Sequence, residues 1–190
     1  MILKSKSRDF FRFLGILALL SAPTFAASNT KPVQEFSDWR LFVDGQGAAK
    51  TCYLAAEPKS SAPANVKRGE TYLVVSHRPG QGVRGEISVR IGYPFSATSV
   101  PFAKVGSDEF NFITGVKAQN GADEWTWIEN LKHQPRLLRA MKRGNELVFN
   151  GTSARDTLTT DSYNSRAVTA AIKAPDAPCP AASTIPLEAP

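Results

Sequence analysis

Histidine is almost missing from this 190-residue chain, which holds only His77 and His133. So few imidazoles leave little from which to build a nucleophile–base relay. Both also fall at apparent loop positions, His77 at a strand end beside Arg78 and His133 just before Pro135, where solvated side chains are expected. Cysteine is equally scarce. Cys52 and Cys179 are the only two, and no C-x-x-C pair exists. That excludes a thioredoxin-type redox motif and the usual zinc ligand sets. The acidic doublets Asp108-Glu109 and Asp123-Glu124 lack the alternating pattern of a calcium loop and read as residues leading into strands. No metal or other cofactor is expected.

Long hydrophobic runs are missing too. The apolar stretch FLGILALL at 13–20 is far shorter than the ~20 residues of a membrane-spanning helix. Its flanks explain it. Lys4, Lys6, Arg8 and Arg12 precede it, and small Thr24 and Ala26 follow at the −3 and −1 positions of a cut after Ala26. This is the three-part pattern of a secretory signal peptide, residues 1–26, with no cysteine after the cut to carry a lipid. Four of the 23 Lys/Arg and one of the 17 Asp/Glu leave with it, so the formal charge falls from +6 to +3. That small excess suits attraction to an anionic envelope surface and excludes a nucleic-acid signature. In an oxidising periplasm two thiols default to one structural disulfide, Cys52–Cys179.

What is present is β-pattern. Residues 27–35 read as a loose polar leader. Residues 39–43 and 51–56 form a hairpin around the turn Asp44-Gly45-Gln46-Gly47. Residues 58–69 read as a loop. Residues 71–76 are almost continuously apolar, as a central strand is, and residues 86–91 alternate strictly. Residues 101–105 read as an edge strand because Pro101 cannot donate to a ladder. Phe110 and Phe112 share one face of the next strand, Trp125 and Trp127 one face of the strand after, and all four read as core. Residues 145–163 (NELVFNGTSARDTLTTDSY) form a hairpin with a hydroxyl-rich return strand. Helices are expected at 135–143, with Pro135 at its first position and Gly144 after it, and at 165–173. Residues 180–190 read as a disordered tail.

The expected fold is therefore all-β: a single-domain sandwich or small barrel of about eight or nine short antiparallel strands, with two short helices near the C-terminus. An eight-stranded outer-membrane barrel competes on length, but the proline-rich tail and the helices oppose it. Arg136, Arg139, Lys142 and Arg143 on the first helix, with Arg155 at the hairpin tip, make a candidate basic contact surface, to which Lys67-Arg68, Arg84 and Arg90 are potential additions.

Several pieces recur together in a known pattern: Phe36-Ser37-Asp38-Trp39, Lys50-Thr51-Cys52-Tyr53, residues 82–88 (GVRGEIS), Gly92-Tyr93-Pro94-Phe95, residues 138–144 (LRAMKRG), residues 151–163 (GTSARDTLTTDSY) and Cys179. Over residues 36–179 the chain resembles the invasion-associated locus B family of small exported proteins of α-proteobacteria. It departs from that pattern at Asp156, where a glycine is expected, and at Asn164-Ser165. The resemblance implies an exported envelope protein, linked in some members to invasion of host cells, and implies no reaction. The expected function is non-enzymatic binding, in the periplasm or secreted or at the outer membrane, to an envelope or host protein. The alternative is a small-ligand-binding or enzyme-like periplasmic domain: a concave pocket with convergent polar groups separates it from a plain interaction surface, and His77 or His133 beside a carboxylate in that pocket would favour an enzyme.

Overall fold

Alternating burial divides the strands into a core face and an open face. In β3 (Thr51–Ala56), Cys52, Leu54 and Ala56 are buried while Thr51, Tyr53 and Ala55 are half-exposed. In β2 (Trp39–Asp44), Trp39 and Leu41 point the same way as Cys52. The computed structural model describes residues 31–180 apart from Ala167. The expected signal peptide at 1–26 and the tail beyond Pro180 lie outside the described residues.

The remaining strands are β1 (Gln34–Phe36), β4 (Ser60–Ala62), β5 (Tyr72–Arg78), β6 (Val83–Arg90), β7 (Phe102–Val105), β8 (Asp108–Thr114), β9 (Trp125–Ile128), β10 (Glu146–Thr152) and β11 (Leu158–Asn164). Three α-helices accompany them among the described residues: α1 (Gly115–Ala118), α2 (Gln134–Arg143) and α3 (Val168–Lys173). All eleven strands join one antiparallel sheet in the order β1-β2-β3-β5-β6-β9-β8-β7-β10-β11-β4. The sheet curls into a half-barrel. Strands β2 and β11 lie near opposite edges in this order, yet the Trp39 indole N–H donates to the Asn164 carbonyl at 3.0 Å. Helix α2 packs on β6 and β7, α3 on β1 and β2, and the two helices meet.

The mostly antiparallel β character, the two hairpins and the two C-terminal helices agree with the sequence reading. The strand count does not: eleven replace eight or nine. The additional strands are β1, overlapping the end of the expected leader, and β4, inside the expected loop. Each has only three residues, too short for alternation to show. Strand β7 is also not an edge strand, for it lies between β8 and β10. Pro101 sits just before it and uses only its carbonyl, which accepts from Phe112 N–H at 2.8 Å, so the missing donor removes no ladder bond.

The core gathers Trp39, Leu54, Val75, Ile87, Phe110, Phe112, Leu137, Met141, Phe149 and Tyr163. Phe112 and Phe149 meet edge to face at 5.3 Å and connect β8 to β10. The Cys52–Cys179 disulfide, with Cα atoms 6.0 Å apart, ties the segment after α3 onto β3. Gly92, at φ +72°, packs against Gly69, whose N–H donates to the Gly92 carbonyl. A Cβ on Gly92 would stand 2.3 Å from the Gly69 oxygen, so a larger residue does not fit there without moving the backbone.

Candidate functional site: an aromatic cleft on the open sheet face

Strand registers explain how a cleft arises on the face opposite the core. One row of cross-strand neighbours runs Arg40, Ala55, Val74, Ser88, Trp127. Its three middle members are small or medium and make a floor. The row on one side runs Phe42, Tyr53, Ser76, Glu86, and the row on the other side contains Tyr72, Arg90 and Trp125. Tall side chains thus stand around low ones, enclosing an open cleft of about 660 Å³. Phe42 and Tyr53 stack with centroids 5.0 Å apart and planes 13° from parallel, a cross-strand pair that stiffens one end. Trp125 and Trp127, both half-buried, form the other end.

The polar groups of the cleft come as opposed charges. Arg40 donates to Glu57 at 2.9 Å, Arg78 meets Glu86 at 2.7 Å, and Arg90 meets Glu124 at 2.9 Å with Glu70 at 3.4 Å. The bond from Glu57, then its charge, holds the Arg40 guanidinium above its usual pKa. Burial raises the phenols of Tyr53 and Tyr72, aided by Asp44 at Tyr53 and by Glu70 at Tyr72. Both therefore stay neutral donors at physiological pH. Partly exposed pairs of this kind contribute at most about 1 kcal/mol each to stability. Their consequence is geometric: paired donors and acceptors are presented along the rim.

The two tryptophans correct the sequence reading. Phe110 and Phe112 are buried core, as expected, but Trp125 and Trp127 face the cleft. The alternation that put both indoles on one face was right. Which face was core depended on Thr126 and Ile128, the buried members of β9, and a polar Thr126 hid that parity. Its hydroxyl is satisfied by donating to the Ile113 carbonyl at 2.7 Å.

His77 is a second correction. It is no loop residue: it lies on β5 opposite Cys52, 3% exposed, and neither ring nitrogen has a hydrogen-bond partner among the described residues. Burial, then the charge of Arg84, lowers its pKa below the usual value, while Asp176 opposes the shift. It sits on the core side, apart from the cleft. His133 is exposed just before α2. No group of three potential metal ligands occurs among the described residues, and no described helix is long and apolar enough to cross a membrane.

The candidate basic residues are distributed unevenly. Arg136 lies over the Phe110 ring at 4.6 Å and near Asp108. Arg139, Lys142 and Arg143 are exposed on α2, with no carboxylate partner among the described residues. Arg155 is exposed in the β10–β11 turn, at the far end of β10 from α2, some ~20 Å along the strand. Arg68, read as a surface addition, is instead half-buried and paired with the buried Asp161. Arg84 pairs with Asp176, and Arg90 belongs to the cleft. Against known proteins, the chain matches no family model, no curated protein and no solved structure.

Proposed function

We propose that this chain is an exported, non-enzymatic binding protein of the cell envelope, of the invasion-associated locus B type, and that the aromatic cleft is its recognition surface. One observation carries the reading. A sheet face bearing Phe42, Tyr53, Tyr72, Trp125 and Trp127 is left uncovered by the helices, which pack on the core side. Aromatics of that size are ordinarily buried, and their concentration in an open concavity ringed by polar groups marks a ligand site. Binding rather than catalysis is favoured because the lining has no histidine or thiol and its carboxylates Glu57, Glu70 and Glu86 are each engaged by an arginine. The signal-peptide pattern and the disulfide support an exported location.

A second surface serves the same protein. Arg139, Lys142 and Arg143 form a cationic strip on α2 suited to an anionic envelope surface. Photo-crosslinking in intact cells separates the two. A benzophenone amino acid at Tyr53 is expected to capture an envelope or host component that the same group at Arg139 does not. Capture only from position 139 would move the recognition surface to α2.

A further inference from the structure

The cleft's polar inventory identifies the chemistry of its ligand. Three guanidinium groups, those of Arg40, Arg78 and Arg90, line it, and each is matched by a carboxylate. The surface is therefore close to neutral. It alternates strong donors with strong acceptors, and the Ser88 hydroxyl on the floor and the Ser76 hydroxyl beside it add to the lining. The carboxylates are each engaged by an arginine, so a ligand that only accepts, such as a proline-rich peptide, would draw on the guanidinium groups alone and leave the remaining acceptor capacity of the carboxylates unused. An anionic ligand would meet the arginines as opposite and the carboxylates as like charges, so the paired lining gives it no net attraction. A vicinal diol both donates and accepts, and fits a guanidinium beside a carboxylate.

The aromatics complete the match. Four of them stand at the two ends of the cleft, Phe42 and Tyr53 on β2 and β3, and Trp125 and Trp127 on β9, while Tyr72 on β5 lies between. These ends are separated by the span from β2 to β9, roughly 19 Å at ordinary strand spacing. A smaller cavity of about 320 Å³ shares Glu57, Glu70 and Tyr72 with the first and lies beyond the ends of β3 and β5. The shape is elongated, open and flat-floored. It suits a chain of rings that present apolar C–H faces to aromatics and hydroxyl edges to charged pairs.

We infer that the cleft binds a neutral oligosaccharide chain of equatorially substituted pyranoses, lying across the strands with a ring against Phe42 and Tyr53 and another against the indoles. The inference rests on the cleft being the recognition surface. Aromatic faces exclude water from the sugar C–H groups, while arginine and glutamate side chains meet the hydroxyls without importing net charge.

Cellohexaose and chitohexaose, titrated into the purified disulfide-bonded chain by calorimetry and tryptophan fluorescence, test it. Trp39 is fully buried, so the fluorescence change reports Trp125 and Trp127. Saturable binding of at least one hexasaccharide is expected, weakened about tenfold in Trp127→Ala. Ser88→Phe, which fills the floor, is expected to abolish it. An unchanged circular dichroism spectrum and melting temperature in either variant keeps the test valid if the other fails to fold. Undiminished sugar binding in both variants overturns the assignment. So does binding of a polyproline peptide with neither sugar. Absence of sugar binding together with persistent crosslinking from position 53 overturns the saccharide and leaves the cleft as a binding surface. Loss of both removes the cleft reading itself.

Discussion

Arg68 and Asp161, 93 residues apart in the chain, form a two-point ion pair at the edge of the core, their side chains 9% and 1% exposed. The Arg68 Nη1–Asp161 Oδ2 contact is 2.8 Å, and the Ser61 hydroxyl adds a bond to Oδ1 at 2.6 Å from the facing strand β4. Burial lowers the affinity of the Arg68 guanidinium for its proton, but the hydrogen bond and charge of Asp161 outweigh it, and the pKa is raised. Losing one partner strands the other in the interior. Asp161→Ala is expected to cost about 3–5 kcal/mol in urea unfolding, and Arg68→Met with Asp161→Leu less than either single change. Equal or additive losses would show that the pair is not coupled.

That pair also marks where reading from sequence stops. Asp161 lies on the inward side of β11 with Thr159 and Tyr163, and nothing local says that a carboxylate on that side is compensated. Its partner comes from a loop and its hydroxyl from a three-residue strand. Elements with a strong local period were legible: α2 through Leu137, Met141 and its terminal Gly144, β6 through Ile87 and Val89, and the β10–β11 hairpin. The cleft was not. Its residues alternate with the core residues of the same strands, and which parity faces solvent is decided by where the helices pack. For β9, that meant Trp125 and Trp127 were assigned to the wrong side.

The bridge between Cys52 and Cys179 spans 127 residues of sequence, so on the chain-entropy treatment its upper limit is about 4–5 kcal/mol. Cys179→Ala is expected to lower the melting temperature by several degrees while leaving tryptophan-based ligand titrations at the cleft unchanged, because Cys52 points to the core and Tyr53 to the cleft. Mass spectrometry of the unreduced protein should find the two cysteines in one linked peptide pair. Free thiols in the exported protein would remove this contribution.

Stability should also depend on His77. Its pKa is lowered in the folded chain, first by burial and then by Arg84. The unfolded chain therefore binds a proton, near pH 6.5, that the folded chain does not. As pH falls below about 6.5, protonation favours the unfolded state and stability declines until the folded-state pKa is passed. Above that window the contribution is constant. Replacing the ring by Leu is expected to flatten the unfolding free energy between pH 7 and pH 5 relative to the parent chain; an identical slope in both proteins would count against a neutral buried His77.

The β10–β11 turn holds a stored backbone cost. Asp156 adopts φ +58°, the left-handed region, with its N–H donating to the Ser153 carbonyl at 2.9 Å. The Ser153 hydroxyl accepts from Arg155 and Thr157 N–H groups at 3.2 Å, so the turn is held without the Asp156 side chain. A glycine enters that region without a Cβ penalty. Asp156→Gly is expected to be neutral to about 1 kcal/mol stabilising by urea unfolding, the gain limited by glycine's freedom in the unfolded chain. A loss above about 0.5 kcal/mol would assign the carboxylate a structural role.

Phe112 and Trp127 separate core from cleft most directly. Phe112 is 1% exposed and packs edge to face on Phe149, so Phe112→Ala removes a ring from a filled interior and is expected to cost about 3–5 kcal/mol. Trp127 is larger but half-buried, and it faces solvent across Ser88 rather than a second layer of side chains. Its truncation exposes floor atoms without leaving a closed cavity, and about 1 kcal/mol is expected. The larger side chain should therefore matter less for folding, and this inversion of size and cost is what a ligand platform requires. Comparable losses at both positions would place Trp127 in the core and close the cleft as a site.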